Sequence, residues 1–314
     1  MNAKLKGYAL GAIAAATYGM NPLFALPLYS AGFSPDSVLF FRYLIALPML
    51  AFMLWWRGRG FAVARNQIAP LIALGLLFSL SSLTLFNSYK HMDAGIASTM
   101  LFVYPIMVAV IMTTMFGERF SPQTALCLAM AVGGIWLLYK SADGATLSLI
   151  GTLLVIASAL FYAIYIVSIN KTRLKDVPTL QITFYVLLFG WCLFAGRAVA
   201  AGRLHTPPAE QWYLWFNLIA LALLPTTISL ACTTSAIQLI GSTPTAILGA
   251  LEPLTAVFFG IMIFDESLTL RQAVGMVLIL SAVSIVVVGD GIGTYLVRLR
   301  KMFPSINRKH NANN

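Results

Sequence analysis

Two side chains carry full charge well inside stretches composed mostly of apolar residues, Arg42 and Glu252. A charge near the middle of a bilayer costs about 2.5–3.5 kcal/mol on insertion scales, so such a group faces a protein interior and usually has a task. Glu252 immediately precedes Pro253. It reads as a carboxylate that accepts a proton or binds a substrate amine. The competing reading is a protonated carboxyl bonded to a backbone carbonyl that the proline has freed. Arg42 lies about 10 Å from the outer end of its run, at about 1.5 Å per residue. It could hold a substrate carboxylate, snorkel outward along its methylene stem, pair with acids in the loops, or pair with Glu252.

The polar residues in the other apolar runs suit the lining of a central cavity. The expected substrate-binding set is Tyr18, Asn21, Ser82, Thr99, Tyr104, Tyr162, Tyr165, Thr233 and Glu252. Glu252 doubles as the proton-coupling candidate, and Arg42 is a secondary candidate. Any single Ser or Thr in a helix more often bonds its own backbone, so the inference rests on the set. Enzyme chemistry finds little support. His91, His205 and His310 lie outside the apolar runs, and H-E-x-x-H, P-loop and G-x-S-x-G signatures are absent. Cys127, Cys192 and Cys232 show no C-x-x-C spacing. No catalytic residue, metal site or cofactor is therefore expected, and no ring of charges suggests a channel.

The elements that must position these groups follow from composition. Of 314 residues, 60% are hydrophobic and 10% charged, against about 25% charged in soluble chains. The chain is read as an integral membrane protein. Ten runs are long enough to cross about 30 Å of hydrocarbon: 7–29, 35–56, 68–88, 94–116, 122–139, 149–169, 178–199, 213–237, 242–264 and 270–289. We number them spans 1 to 10. The first is too long for the apolar part of a cleaved signal peptide. The formal charge of +10 sits in the breaks between runs and in the tail, where it sets topology and does not make a nucleic-acid face. With the N-terminus inside, the breaks and tails facing the cytoplasm hold Lys4, Lys6, Arg57, Arg59, Arg65, Arg119, Lys171, Arg173, Lys175 and the tail cations Arg298, Arg300, Lys301, Arg308 and Lys309. The external breaks hold only Lys90, Lys140, Arg197, Arg203 and Arg271. Both termini are thus expected in the cytoplasm.

The chain also repeats its own pattern. Pro105 to Glu118 and Pro253 to Glu266 have the same spacing of thirteen positions, and Phe116/Phe264 and Ala125/Ala273 match besides. Five spans per half is an odd number, so the second half enters from the opposite side. Inverted repeats of this kind let one central site open alternately to either side. The expected architecture is an all-α membrane protein of ten transmembrane helices in two inverted five-helix repeats, residues 1–140 and 141–290, with a basic cytoplasmic tail, 291–314. Small residues at four-residue spacing (Gly11, Ala15, Gly19; Ala125, Ala129, Gly133) read as seams for close helix packing.

These features resemble the drug/metabolite transporter superfamily, EamA type. The resemblance covers residues 1 to about 290 and rests on Leu251-Glu252-Pro253, Phe264-Asp265-Glu266-Ser267-Leu268-Thr269, Gln272 and Gly275. Tyr104-Pro105 and Phe116-Gly117-Glu118-Arg119-Phe120-Ser121 echo it in the first half, and Phe41-Arg42-Tyr43 matches the motif that opens the second span. Cys127 and Tyr185 depart from it, standing where Gly275 and Arg42 would repeat. The resemblance implies a cavity formed mainly by spans 1, 3, 4, 6, 8 and 9. It also implies a secondary transporter of a bacterial inner membrane that exports amino acids or related metabolites, with protons as a further partner. An uncoupled facilitator or exchanger of metabolites or drugs is the alternative, and a membrane-embedded enzyme the more distant one. No intramembrane Lys/Arg cluster is present to hold a phosphate, and the aromatic and hydroxyl lining suits a neutral or zwitterionic molecule.

Overall fold

The computed structural model describes residues 3–58, 60–117, 122–138, 148–171, 174, 177–201, 204–240, 245 and 248–285. Among these, every regular element is helical. Seven helices are long and apolar enough to cross a membrane: Ala3–Ser30, Pro35–Trp56, Arg65–Ser88, Ala94–Phe116, Leu149–Ile169, Thr179–Ala200 and Trp212–Thr233. Three shorter apolar helices, Ala125–Leu138, Leu251–Phe264 and Leu270–Ile285, fall in spans 5, 9 and 10. The Glu118 turn, part of the entry to span 9 (241–244 and 246–247) and the basic tail 291–314 lie outside the described residues. So do several of the topology-setting cations, Arg119 and Lys140 among them.

Local chemistry fixes where several helices start. At span 2, Ser34 accepts the Ser37 N–H at 3.2 Å and Pro35 takes the first helical position, where its missing N–H costs nothing. At span 10, Thr269 Oγ1 accepts the Gln272 N–H at 3.1 Å, while Gln272 Oε1 accepts the Thr269 N–H at 3.0 Å. This reciprocal capping box satisfies two of the otherwise orphaned donors. Spans 4 and 9 end alike: Phe116 is followed by Gly117 at φ 67° and Phe264 by Asp265 at φ 52°. Both residues are left-handed caps, and they occupy corresponding places in the two halves.

The described contacts between loops and helix ends sort into two groups. Gln181 Nε2 bonds Ala62 O at 2.8 Å, the Tyr185 hydroxyl bonds Phe61 O, and Gly7 meets Leu239 and Ile240. At the other end Arg197 pairs with Asp36 at 2.6 Å, His205 N–H bonds Ser37 Oγ, Gly151 meets His91, and Glu266 bonds Ala94. Every one of these contacts joins ends that a strictly alternating chain places on the same side. Inside the bundle, span 1 packs on span 8, span 3 on spans 6 and 7, span 2 on span 7, and span 4 on span 9.

Span 1 is an integral member of this bundle. Gly7, Gly11 and Gly19 are buried against spans 8 and 9, and at Gly19 even a methyl group would overlap the backbone carbonyl of Glu252. The stripe at Ala125, Ala129 and Gly133 corrects its expectation. Ala125 and Ala129 face outward, and the close crossing of spans 5 and 10 runs through Gly134, one residue on, where each of Gly134 and Gly275 approaches the other's carbonyl. A four-residue spacing identifies a face of a helix but not the neighbour that face meets.

Candidate functional site

Spans 4 and 9 are both broken mid-membrane. Span 4 interrupts at Phe102–Val103 and resumes at Tyr104; span 9 turns at Gly249–Ala250 and resumes at Leu251. Pro105 and Pro253 therefore stand in the first turn of a new helical segment, where proline is tolerated, and do not kink a continuous helix. Tyr104 and Glu252, corresponding residues of the two halves, are carried into the interior by these restarts. A carboxylate in the first turn also sits favourably against the helix dipole.

Glu252 is half-buried, and among the described residues no side chain or backbone group hydrogen-bonds or ion-pairs with its carboxylate. The freed-carbonyl reading expected a bonded carboxyl at this position. Tyr18, Tyr89, Tyr104 and Tyr162 lie within its electrostatic reach. Tyr104 and Tyr162 meet edge to face with ring centroids 4.7 Å apart; Tyr162 stacks on Tyr165 at 5.7 Å, and Phe78 packs on both. Spans 1, 3, 4, 6 and 9 thus bring an unpaired carboxylate and a wall of phenols to one place. Such a wall offers π faces to a cation and hydroxyls to polar groups.

The remaining expected residues differ in burial and in the partners of their polar groups. Ser82 is half-buried and accepts the Tyr43 hydroxyl at 2.9 Å. Thr233, also half-buried, donates to Ser229 O at 2.9 Å. Asn21 is 3% exposed; its amide donates to Tyr18 O at 2.8 Å, and its Oδ1 finds no partner. Thr99 is 1% exposed and its hydroxyl is committed to Gly95 O at 2.9 Å. Ser158, another hydroxyl of span 6, is fully buried and exchanges hydrogen bonds with Ser81, where it joins spans 3 and 6.

Arg42 does not snorkel, and among the described residues it makes no ion pair. It is 4% exposed, and its Nε–H donates to Thr226 Oγ1 in span 8 at 2.9 Å, while its guanidinium lies 5.3 Å from the Phe86 ring centroid. The nearby loop acid Asp36 is taken by Arg197, and Glu252 is no ion-pair partner. The acceptor comes from a defect in span 8. Pro225 cannot bond back to Leu221, and the helix widens into a π turn over Leu223–Ile228. Thr226 and Thr227 hydroxyls donate to Leu221 O and Ala222 O at 3.0 and 2.9 Å, and this leaves the Thr226 oxygen free to accept from Arg42.

Sequence reading missed the role of Glu266. Glu266 Oε1 and Oε2 accept the N–H groups of Ala94 and Gly95 at 2.9 and 3.3 Å, so the turn between spans 9 and 10 caps the start of span 4. Burial raises the Glu266 carboxyl above its ordinary value, neighbouring Asp93 adds to this, and the two backbone donors oppose it. Phe264-Asp265-Glu266 was visible as a motif, but nothing local names a partner so far away in the chain.

Comparison with known proteins adds the family context. The family model described as the EamA-like transporter family matches twice, over residues 5–140 and 149–288. An uncharacterized transporter of Archaeoglobus fulgidus is 28% identical over 79% of this chain and 83% of its own length. The threonine/homoserine exporter RhtA of Escherichia coli K12 is 28% identical over 75% of this chain and 76% of that protein. A solved crystal structure with 18% identity superposes with a TM-score of 0.65, covering 93% of this chain and 98% of the other. At that identity the likeness speaks for the fold alone.

Proposed function

Since this chain belongs to the EamA-like transporter family, a membrane transporter of small molecules, we propose that it exports amino acids or closely related metabolites across a bacterial inner membrane. Export proceeds by alternating access, with Glu252 binding the substrate amine and exchanging it for a proton. One observation carries the reading: a carboxylate without a partner among the described residues, set among tyrosines where the two halves meet. An unpaired interior carboxylate is expensive, and a cation that arrives and leaves is what would justify it. The name of the RhtA relative, a threonine/homoserine exporter, supports the substrate class.

In this reading residues 1–140 and 141–290 are the inverted repeats that rock about the site, and both termini face the cytoplasm, as the excess of Lys and Arg in the inner breaks requires. The substrate enters from the cytoplasm with its ammonium against Glu252 and the Tyr104–Tyr162 pair. Reorientation exposes it outside, and protonation of Glu252 releases it. The test is counterflow in proteoliposomes containing the purified protein, loaded with one amino acid at a time and supplied with the labelled form outside. Accumulation of the label for a subset of small amino acids is expected. A well-folded preparation that exchanges none of the twenty would overturn the assignment.

A further inference from the structure

The reading above leaves Arg42 without a task, and its surroundings are unusual for a permanent cation. Arginine stays charged in proteins and presents five N–H donors. Here the residue is 4% exposed, and among the described residues one donor is used, its acceptor a neutral hydroxyl, Thr226 Oγ1. The guanidinium also lies against the face of Phe86, 5.3 Å from the ring centroid. A buried charge is normally paired with an opposite charge, yet no carboxylate among the described residues reaches this one. Thr226 and Phe86 fix the guanidinium from two sides, which leaves its terminal nitrogens as a preorganised fork of the shape that receives a carboxylate in two parallel hydrogen bonds.

Tyr18 and Tyr89 each feel the field of both Arg42 and Glu252. Span 1 packs on span 8, which carries Thr226, and meets the Glu252 backbone at Gly19, and among the described residues the two charges form no ion pair with each other. A cation and an anion held apart are complementary to a molecule carrying both signs. We infer that Arg42, aimed by Thr226, binds the carboxylate of a zwitterionic α-amino acid whose ammonium group rests on Glu252. The inference builds on the proposed transport of amino acids and narrows it: the substrate must keep a free α-carboxylate, and its amide or amine counterpart is rejected.

The experiment uses the reconstituted full-length protein and three matched pairs: L-threonine and L-threoninamide, L-alanine and L-alaninamide, L-leucine and L-leucinamide. Counterflow of each amino acid is measured, and each amide is tested as competitor. In the wild type the amide should compete about ten- to a hundredfold less well than its acid, the loss that goes with one charge-assisted hydrogen-bonding partner. Arg42→Gln should raise the half-saturating concentration of the acid by that factor and leave the weak binding of the amide unchanged, so that acid and amide converge. Thr226→Val, which removes the acceptor that aims the guanidinium, should give an intermediate loss.

An Arg42→Gln protein that still discriminates as the wild type does would overturn the assignment. Wild-type protein in which amides compete as well as acids would overturn it without any variant. If amino acids move but amides replace them freely, only the role of Arg42 fails. If no amino acid moves at all, the transport reading itself fails and this inference with it.

Discussion

A carboxylate drawn in from bulk water with no partner among the described residues gains little for folding beyond its favourable place at a helix start, and Glu252 is in that position. Replacing it by Gln removes the charge while keeping the shape, so the thermal stability of the detergent-solubilised protein should stay the same or rise. A marked fall in Tm for Glu252→Gln would show that the ionised group is a structural tie. Both interior charges were legible in the sequence because a charge stands out in an apolar run. Their surroundings were less so. Tyr104 and Tyr162 could be named as polar members of their spans, but the 4.7 Å contact between their rings depends on how spans 4 and 6 cross. Thr226 could be placed on span 8; its selection by Arg42 depends on the π turn that Pro225 creates.

At the scale of the helices, close approach is set by glycines and by one long-range cap. Gly19→Ala should cost about 1–3 kcal/mol, the usual penalty of overpacking, because the added methyl meets the Glu252 carbonyl, a backbone atom of span 9. Gly196→Ala in span 7 meets nothing within 4 Å and should instead gain up to about 1 kcal/mol of helix propensity. Denaturation of the two variants side by side separates packing from propensity. By comparison, the interhelical Ser81–Ser158 pair is worth about 0.6 kcal/mol by measured averages in membrane proteins, so the glycine seams matter more than the serine link.

The Glu266 cap makes a prediction about pH. Because its carboxyl is raised above the ordinary 4.5 in the folded protein, the folded state holds that proton more tightly than the unfolded state does. The stability so gained is fully present below pH 4.5 and is lost as pH climbs through the raised value. With Asp93, whose carboxyl burial also raises, replaced by Asn in both proteins, Tm should fall across that window in the presence of Glu266 and run flatter with Glu266→Gln. Parallel Tm profiles would remove Glu266 from the pH response. The helix ends themselves were readable from Phe116-Gly117 and Phe264-Asp265, since a left-handed cap has a local signature. The reach of Glu266 to Ala94 had none, being a contact between the two halves.

Taken whole, the molecule carries the family pattern twice, over residues 5–140 and 149–288, and corresponding elements of the two halves differ at its interior. Tyr104 faces the place that Glu252 occupies in the other half; span 8 carries a π turn where span 3 is a continuous helix. Hydrophobic run length and the alternation of loops were enough to obtain the ten spans, because crossing a bilayer leaves little freedom in length or order. Which spans touch was not obtainable in the same way, since apolar faces in lipid differ little from one another. Asymmetry at the centre of a symmetric frame suits a carrier that must bind one chemical class while opening to either side.

The central claim is that Glu252 links substrate movement to protons, and ΔpH-driven transport in proteoliposomes tests it most directly. Vesicles holding the wild type, with an amino acid that shows counterflow, should accumulate it against its gradient when a pH difference is imposed, and lose this when the difference is collapsed. Glu252→Gln should no longer respond to the pH difference, whatever passive exchange it retains. A Glu252→Gln protein that accumulates substrate under the pH difference as well as the wild type does would contradict the account.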